Sequence, residues 1–133
     1  MMKRILTGLF VALLLGLNAV ARAQDDATDN AFYKGVVAYR AHKFEEAASW
    51  FLQAADAGDG DAQFLLGRMH YDGNSLSVDD VTAWMWFDIA AANGVPVGAR
   101  YRNGIAARMS DEDIAIAKQR ADAWRRAHPS EPR

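Results

Sequence analysis

The residues able to do chemistry are few. The chain has three His and no Cys, which excludes a disulfide framework, a thiol nucleophile and a zinc site built on thiolates. His42 stands beside Lys43, His70 two residues before Asp72, and His128 near the C-terminal end. A His next to a carboxylate can carry acid–base chemistry or hold a metal ion, and His70 with Asp72 is the pair that invites this reading. No Ser or Asp is spaced to join a His on one helical face, so a Ser-His-Asp arrangement is not supported. Asp59-Gly-Asp61 and Asp72-Gly-Asn74 resemble the start of calcium loops. Such a loop closes with Glu at position 12, and here those positions hold His70 and Ala83. Gly58-Asp-Gly60-Asp61 is too acidic to cradle phosphate. Turn formation and helix capping account for these acids better, and no metal or cofactor is expected.

The elements that carry these residues are helical. Gly58, Gly60, Gly73 and Gly94 with Pro96 break the chain at regular intervals, and no period-2 stretch of β-branched residues occurs. Six helices are predicted, near residues 29–42, 44–57, 61–71, 78–93, 97–108 and 111–127. Ser77-Val-Asp-Asp80 and Ser110-Asp-Glu-Asp113 read as helix starts, each an N-cap hydroxyl with a carboxylate three residues on. The tail, 128–133, holds Pro129 and Pro132 and is expected to be flexible.

The first 23 residues read differently. Met1-Met2-Lys3-Arg4 is basic, Ile5 to Leu17 is uncharged and apolar, and Ala21-Arg22-Ala23 follows. This order describes a secretory signal peptide cut after Ala23, with retention as an anchor the alternative. Residues 24–30 are polar and read as a disordered lead-in. The expected location is periplasmic or secreted, and membrane contact is confined to the transient signal segment. Without residues 1–23 the formal charge moves from −2 to −5. Residues 24–98 then carry −8 and residues 99–133 carry +3, an acidic body with a basic end. Nothing in this balance calls for nucleic acid.

The helices come in pairs, and the pairs repeat. Ala47, Trp50, Phe51, Ala54, Ala55 and Gly58 return as Ala83, Trp86, Phe87, Ala90, Ala91 and Gly94, an offset of 36 at every position. A fixed period of this length made from helix pairs marks an α-solenoid. Small Ala residues allow close helix approach, Trp and Phe fill the space between pairs, and Gly ends each helix. Residues 62–94 resemble a SEL-one-like repeat, a relative of the tetratricopeptide repeat. The matching positions are Ala62, Leu66-Gly67, Gly73, Asp79, Ala83, Trp86, Ala90-Ala91 and Gly94, with His70 in place of the usual Tyr and Ser75 in place of a turn Gly. Residues 31–58 look more like a plain tetratricopeptide unit, with Gly35, Tyr39, Phe44, Ala47, Phe51 and Ala54 at its spacing. Residues 97–127 look like a closing unit whose apolar face is Ile114, Ala117, Ala121 and Trp124. The expected architecture is all-α: about three stacked antiparallel helix pairs over residues 31–127.

By this resemblance, a concave face is lined from the first helix of each pair. It would comprise Phe32, Val36 and Tyr39, then Phe64, Arg68 and Tyr71, then Arg100. Aromatic groups with two Arg suit an extended or helical peptide bearing carboxylates. Trp84 lies off the repeated seam and is either an exposed hot spot or a filler between repeats. The resemblance implies a non-enzymatic protein- or peptide-binding adaptor in an envelope, stress or signalling assembly, monomeric or weakly self-associating. Two alternatives stay open: a small enzyme or enzyme inhibitor using His70 and Asp72, and an envelope structural protein packing acidic body to basic end.

Overall fold

A computed structural model describes residues 30–73 and 76–130. The expected signal peptide, the lead-in up to residue 29 and residues 131–133 lie outside the described residues. Helix α1 covers residues 30–40. It is followed by α2 (Phe44–Asp56), α3 (Gly60–Asp72), α4 (Asp80–Ala92), α5 (Val97–Ala106) and α6 (Asp111–Ala127). Among the described residues there is no strand.

The seam read from the sequence is the one that packs. Ala47, Phe51, Ala54 and Ala55 are the buried positions of α2, and Ala83, Phe87 and Ala90 stand among those of α4. This is helical spacing of one apolar face. Each Phe reaches a Gly of the helix before it. A Cβ on Gly35 would meet the Phe51 ring at 2.6 Å, and one on Gly67 would meet Phe87 at 2.7 Å. Only Gly lets the two backbones close over the ring. Fully burying each Phe contributes about 1.5–3 kcal/mol.

Turns and caps follow from local chemistry. Gly58, Gly73 and Gly94 take positive φ at helix ends, and among the described residues His42 (φ 57°) is the one non-Gly residue that does so. Asp59 caps α3, its carboxylate accepting from the Ala62 N–H at 2.9 Å. Ser110 caps α6, accepting from the Asp113 N–H at 3.1 Å. The start of α4 is a correction. The cap is Asp79 rather than Ser77: its carboxylate accepts from both the N–H (3.0 Å) and the hydroxyl (2.7 Å) of Thr82. The Asp79 N–H in turn donates to the His70 carbonyl at 3.1 Å, so chain and cap are fixed together. Burial pushes the Asp79 carboxyl upward, but these two hydrogen bonds, with the charges of His70 and Arg120, hold it below the usual value.

A buried amide, unforeseen in the sequence, ties the pairs together. Gln63 is fully buried. Its amide nitrogen donates to the Ala55 carbonyl at 3.0 Å, and its oxygen accepts from the Asn93 side chain at 2.9 Å. One side chain of α3 thus binds the C-terminal ends of α2 and α4.

The closing unit packs in its own way. The two repeated units are hairpins, but α5 and α6 each lie chiefly on α4 rather than on each other. Gly98 permits the close approach of α5, since a Cβ there would stand 2.6 Å from the Phe87 carbonyl oxygen. Helix α6 crosses α4 and reaches the end of α2, where the Trp124 indole N–H donates to Asp56 at 3.3 Å. His128, expected in a loose tail, is held there. Its ring stacks on Trp124 at 4.2 Å, Nδ1 donates to the Trp124 carbonyl at 2.9 Å, and Nε2 lies 3.3 Å from Asp56. Asp88 binds Arg102 of α5 and Arg125 of α6 together, fastening both closing helices to α4.

Candidate functional site

Helix α1 shows three faces. Ala31, Gly35 and Ala38 are buried in the molecule, Val36 and Tyr39 turn toward α3, and Tyr33 and Val37 turn outward. Between α1 and α3 lies an open groove of about 310 Å³, lined by Val36, Tyr39, Arg40, Phe51, Leu65, Arg68, Met69 and Asp72. Its floor is apolar and its rim carries two guanidinium groups.

Helix periodicity sets this lining. Val36, Tyr39 and Arg40 fall on one face of α1 at intervals of three and four, and Leu65, Arg68, Met69 and Asp72 do the same on α3. Arg68 is held in place from two sides. It donates to Asp72 from Nε (3.2 Å) and Nη2 (3.0 Å), and its guanidinium lies 5.5 Å from the Tyr101 ring centre. Partial burial pulls the Arg68 pKa down, but the hydrogen bond and charge of Asp72 raise it above its ordinary value. The cation is permanent at any working pH. Tyr39 is 41% exposed and rests edge-on against Phe44 at 5.3 Å, so its ring is buttressed and still available.

Next to the groove sits an aromatic cluster. Phe64 meets Phe87 at 5.5 Å and Tyr101 at 5.3 Å, and Tyr71 meets Tyr101 at 5.8 Å. Arg108 covers Tyr71 at 5.0 Å and forms a two-pronged pair with Asp80, at 3.0 and 2.7 Å.

Of the residues expected on the concave face, Val36, Tyr39 and Arg68 come together in the groove, and Phe64 and Tyr71 form its aromatic flank. Phe32 serves the interior instead, 5.8 Å from Phe51. Arg100 is exposed on α5 and joins neither group. The family spacing placed it opposite Phe64, but α5 turns its neighbour Tyr101 into the cluster. Trp84 is corrected more firmly. It is 6% exposed, with the Arg102 guanidinium 5.8 Å from its ring centre, so it fills space against α5 and is no exposed hot spot. Tyr101, Arg108 and Arg40 were missed. An aromatic one residue from the expected position was the available signal for Tyr101. Arg40 lies four residues after Val36, so helical spacing was its signal, while Arg108 carried none because its partner Asp80 is 28 residues away.

The pairing of His70 with Asp72 does not form. Residues two apart on a helix do not face one another, and Asp72 accepts from Arg68 while the His70 Nδ1 is buried without a hydrogen-bond partner. Among the described residues no cluster of three or more His, Cys, Asp or Glu could hold a metal ion, and no helix is long and apolar enough to cross a membrane.

Repeated helix hairpins with a groove between their first helices define a helical-repeat protein. The particular repeat has a name: the Sel1 repeat family model matches residues 32–59 and 60–95, two consecutive Sel1 repeats. It is 26% identical to an exopolysaccharide production negative regulator of Rhizobium leguminosarum bv. viciae, across 88% of this chain and 52% of the relative. A solved structure, that of a protective antigen present in uropathogenic Escherichia coli strains and displaying an SLR fold, superposes with a TM-score of 0.59 at 30% identity. That likeness covers 62% of this chain and 18% of the antigen. The chain thus spans about half the length of the curated relative and less than a fifth of the solved one. As a family, Sel1 repeats mediate protein–protein interaction.

Proposed function

We propose that this chain is a non-enzymatic adaptor, working outside the cytoplasm once residues 1–23 are removed, that holds a segment of a partner protein in the α1–α3 groove. The groove carries the reading. An apolar floor of Val36, Leu65 and Met69 suits aliphatic side chains, and Arg40 and Arg68 on the rim suit carboxylates. An extended or helical peptide with both features fits it. The likeness to a negative regulator of exopolysaccharide production supports a role in controlling an envelope or signalling assembly rather than in chemistry. The secretory pattern of residues 1–23 supports the location.

The test is a photo-crosslinking residue placed at Tyr39, in the groove, or at Leu52, exposed on α2 outside it. In intact cells the Tyr39 probe should capture a discrete partner and the Leu52 probe should not. Arg68→Glu should abolish the adduct while circular dichroism stays unchanged. Capture from Leu52 alone, or an adduct indifferent to Arg68→Glu, moves the binding surface elsewhere.

A further inference from the structure

The outward face of α1 has no counterpart in the second repeat. The Gly residues that receive the Phe rings, Gly35 and Gly67, set the register between α1 and α3. In that register Tyr33 corresponds to Leu65 and Val37 to Met69. Leu65 and Met69 face the first repeat, and Met69 is 2% exposed. Tyr33 and Val37 face the same way, and are 68% and 50% exposed. With Lys34, Ala41, Lys43, Glu46 and the half-buried Trp50 they line a shallow open cavity of about 330 Å³. This is the surface on which another repeat would stack, and it is apolar where a stack should end in a polar cap.

The opposite end of the molecule is such a cap. Among the described residues the large exposed hydrophobic residues are Tyr33, Val37, Tyr39, Leu52 and Val78, none of them on α5 or α6. A second copy therefore gains nothing from stacking its C-terminal end on α1, because that would bury Tyr33 and Val37 against charge. Its own α1 face is the complementary surface. That face holds both signs, Lys34 and Lys43 with Glu46, and Lys43 and Glu46 already lie within 4.0 Å in the monomer. Across a twofold axis the cations of one copy can meet the carboxylate of the other, the self-complementarity an isologous contact needs.

We propose that two copies of this chain pair head to head through the outer face of α1, with Tyr33 and Val37 at the centre of the contact. The contact leaves Tyr39 and Arg68 in their groove, so the dimer would present two grooves, and it stands or falls independently of the adaptor reading.

The experiment is analytical ultracentrifugation of the protein as purified from cells expressing the full chain, with crosslinking of single-Cys variants. The chain has no Cys, so Val37→Cys and Lys118→Cys each supply one thiol. We expect a reversible dimer, a dimer affinity at least tenfold weaker in Val37→Glu with unchanged helicity, and a short bismaleimide joining Val37→Cys to itself but not Lys118→Cys to itself. A monomer at the highest concentrations with Val37→Cys freely labelled would overturn the proposal. So would a mixed Val37→Cys to Lys118→Cys adduct, which means head-to-tail packing. A monomer whose Val37→Cys is protected from labelling would also overturn it, because the occupant is then the segment preceding α1.

Discussion

The two repeats share one seam and differ in almost everything around it. Gly35 meets Phe51 and Gly67 meets Phe87 at nearly the same distance. Yet Gly and Phe are 16 residues apart in the first repeat and 20 in the second, because a longer turn joins α3 to α4. The first repeat packs Phe51 against one aromatic ring, Phe32. The second surrounds Phe87 with Phe64, Tyr71 and Tyr101 and closes Gly98 of α5 over its backbone. The seam makes a repeat, and the neighbours decide how strongly it is held.

The largest test of that difference is truncation of the two rings. Both Phe51→Ala and Phe87→Ala should destabilise, by about 3–5 kcal/mol, with Phe87→Ala at the upper end because three rings lose a partner there against one at Phe51. Denaturant unfolding gives the order directly, and a larger loss at Phe51 would invert the comparison. A smaller effect is expected where the repeats agree. Gly35→Ala and Gly67→Ala each force a Cβ into a ring and should cost about 1–3 kcal/mol, within error of one another. A cost at only one site would mean that the two seams are not equivalent.

The smallest effect concerns the caps. Helix α4 is capped by Asp79, while α2 begins at Lys43 with no side-chain cap. Lys43→Asp should therefore add about 0.5–1 kcal/mol, bringing α2 level with α4. Asp79 also adds a pH dependence that α2 lacks. Its folded pKa is depressed below the ordinary carboxylate value, so its contribution is complete above that value and is lost as pH falls through the folded pKa. Asp79→Asn can still accept from the Thr82 N–H. It should flatten the acid limb of the stability curve below about pH 4, because the contribution that Asp79 makes at neutral pH is already gone in the variant. An acid limb unchanged by Asp79→Asn would assign the effect to other carboxylates.

What was legible in the sequence was local or periodic. The six helices, the Gly stops, the Asp59 and Ser110 caps and the Ala-Trp-Phe seam each follow from residues within one turn or one period of each other. The cap of α4 was misplaced by two residues because Ser77 and Asp79 are both good caps, and the hydrogen bond to the His70 carbonyl decides between them. In the groove, Val36, Tyr39 and Arg68 were reachable by family spacing on two helices of like register. That spacing failed at Arg100 because α5 does not form a hairpin with α6 and so need not keep the register. Gln63, Asp88, Arg108 and the docking of His128 were invisible for one reason. Each bonds from one helix to another, and nothing in a buried amide or a lone charge names its partner.

That distance has a kinetic consequence for α6. The Trp124–Asp56 bond closes 68 residues of chain, and Trp124 packs on Trp86 at 5.8 Å as well. Each hairpin can form from contacts close in sequence, but the Trp124–Asp56 bond of α6 forms only once α2 and α4 are both in place. We expect docking of α6 to come late on the folding path and its release early on unfolding. Amides of Ala117 and Ala121 should exchange ahead of those around Phe51 and Phe87.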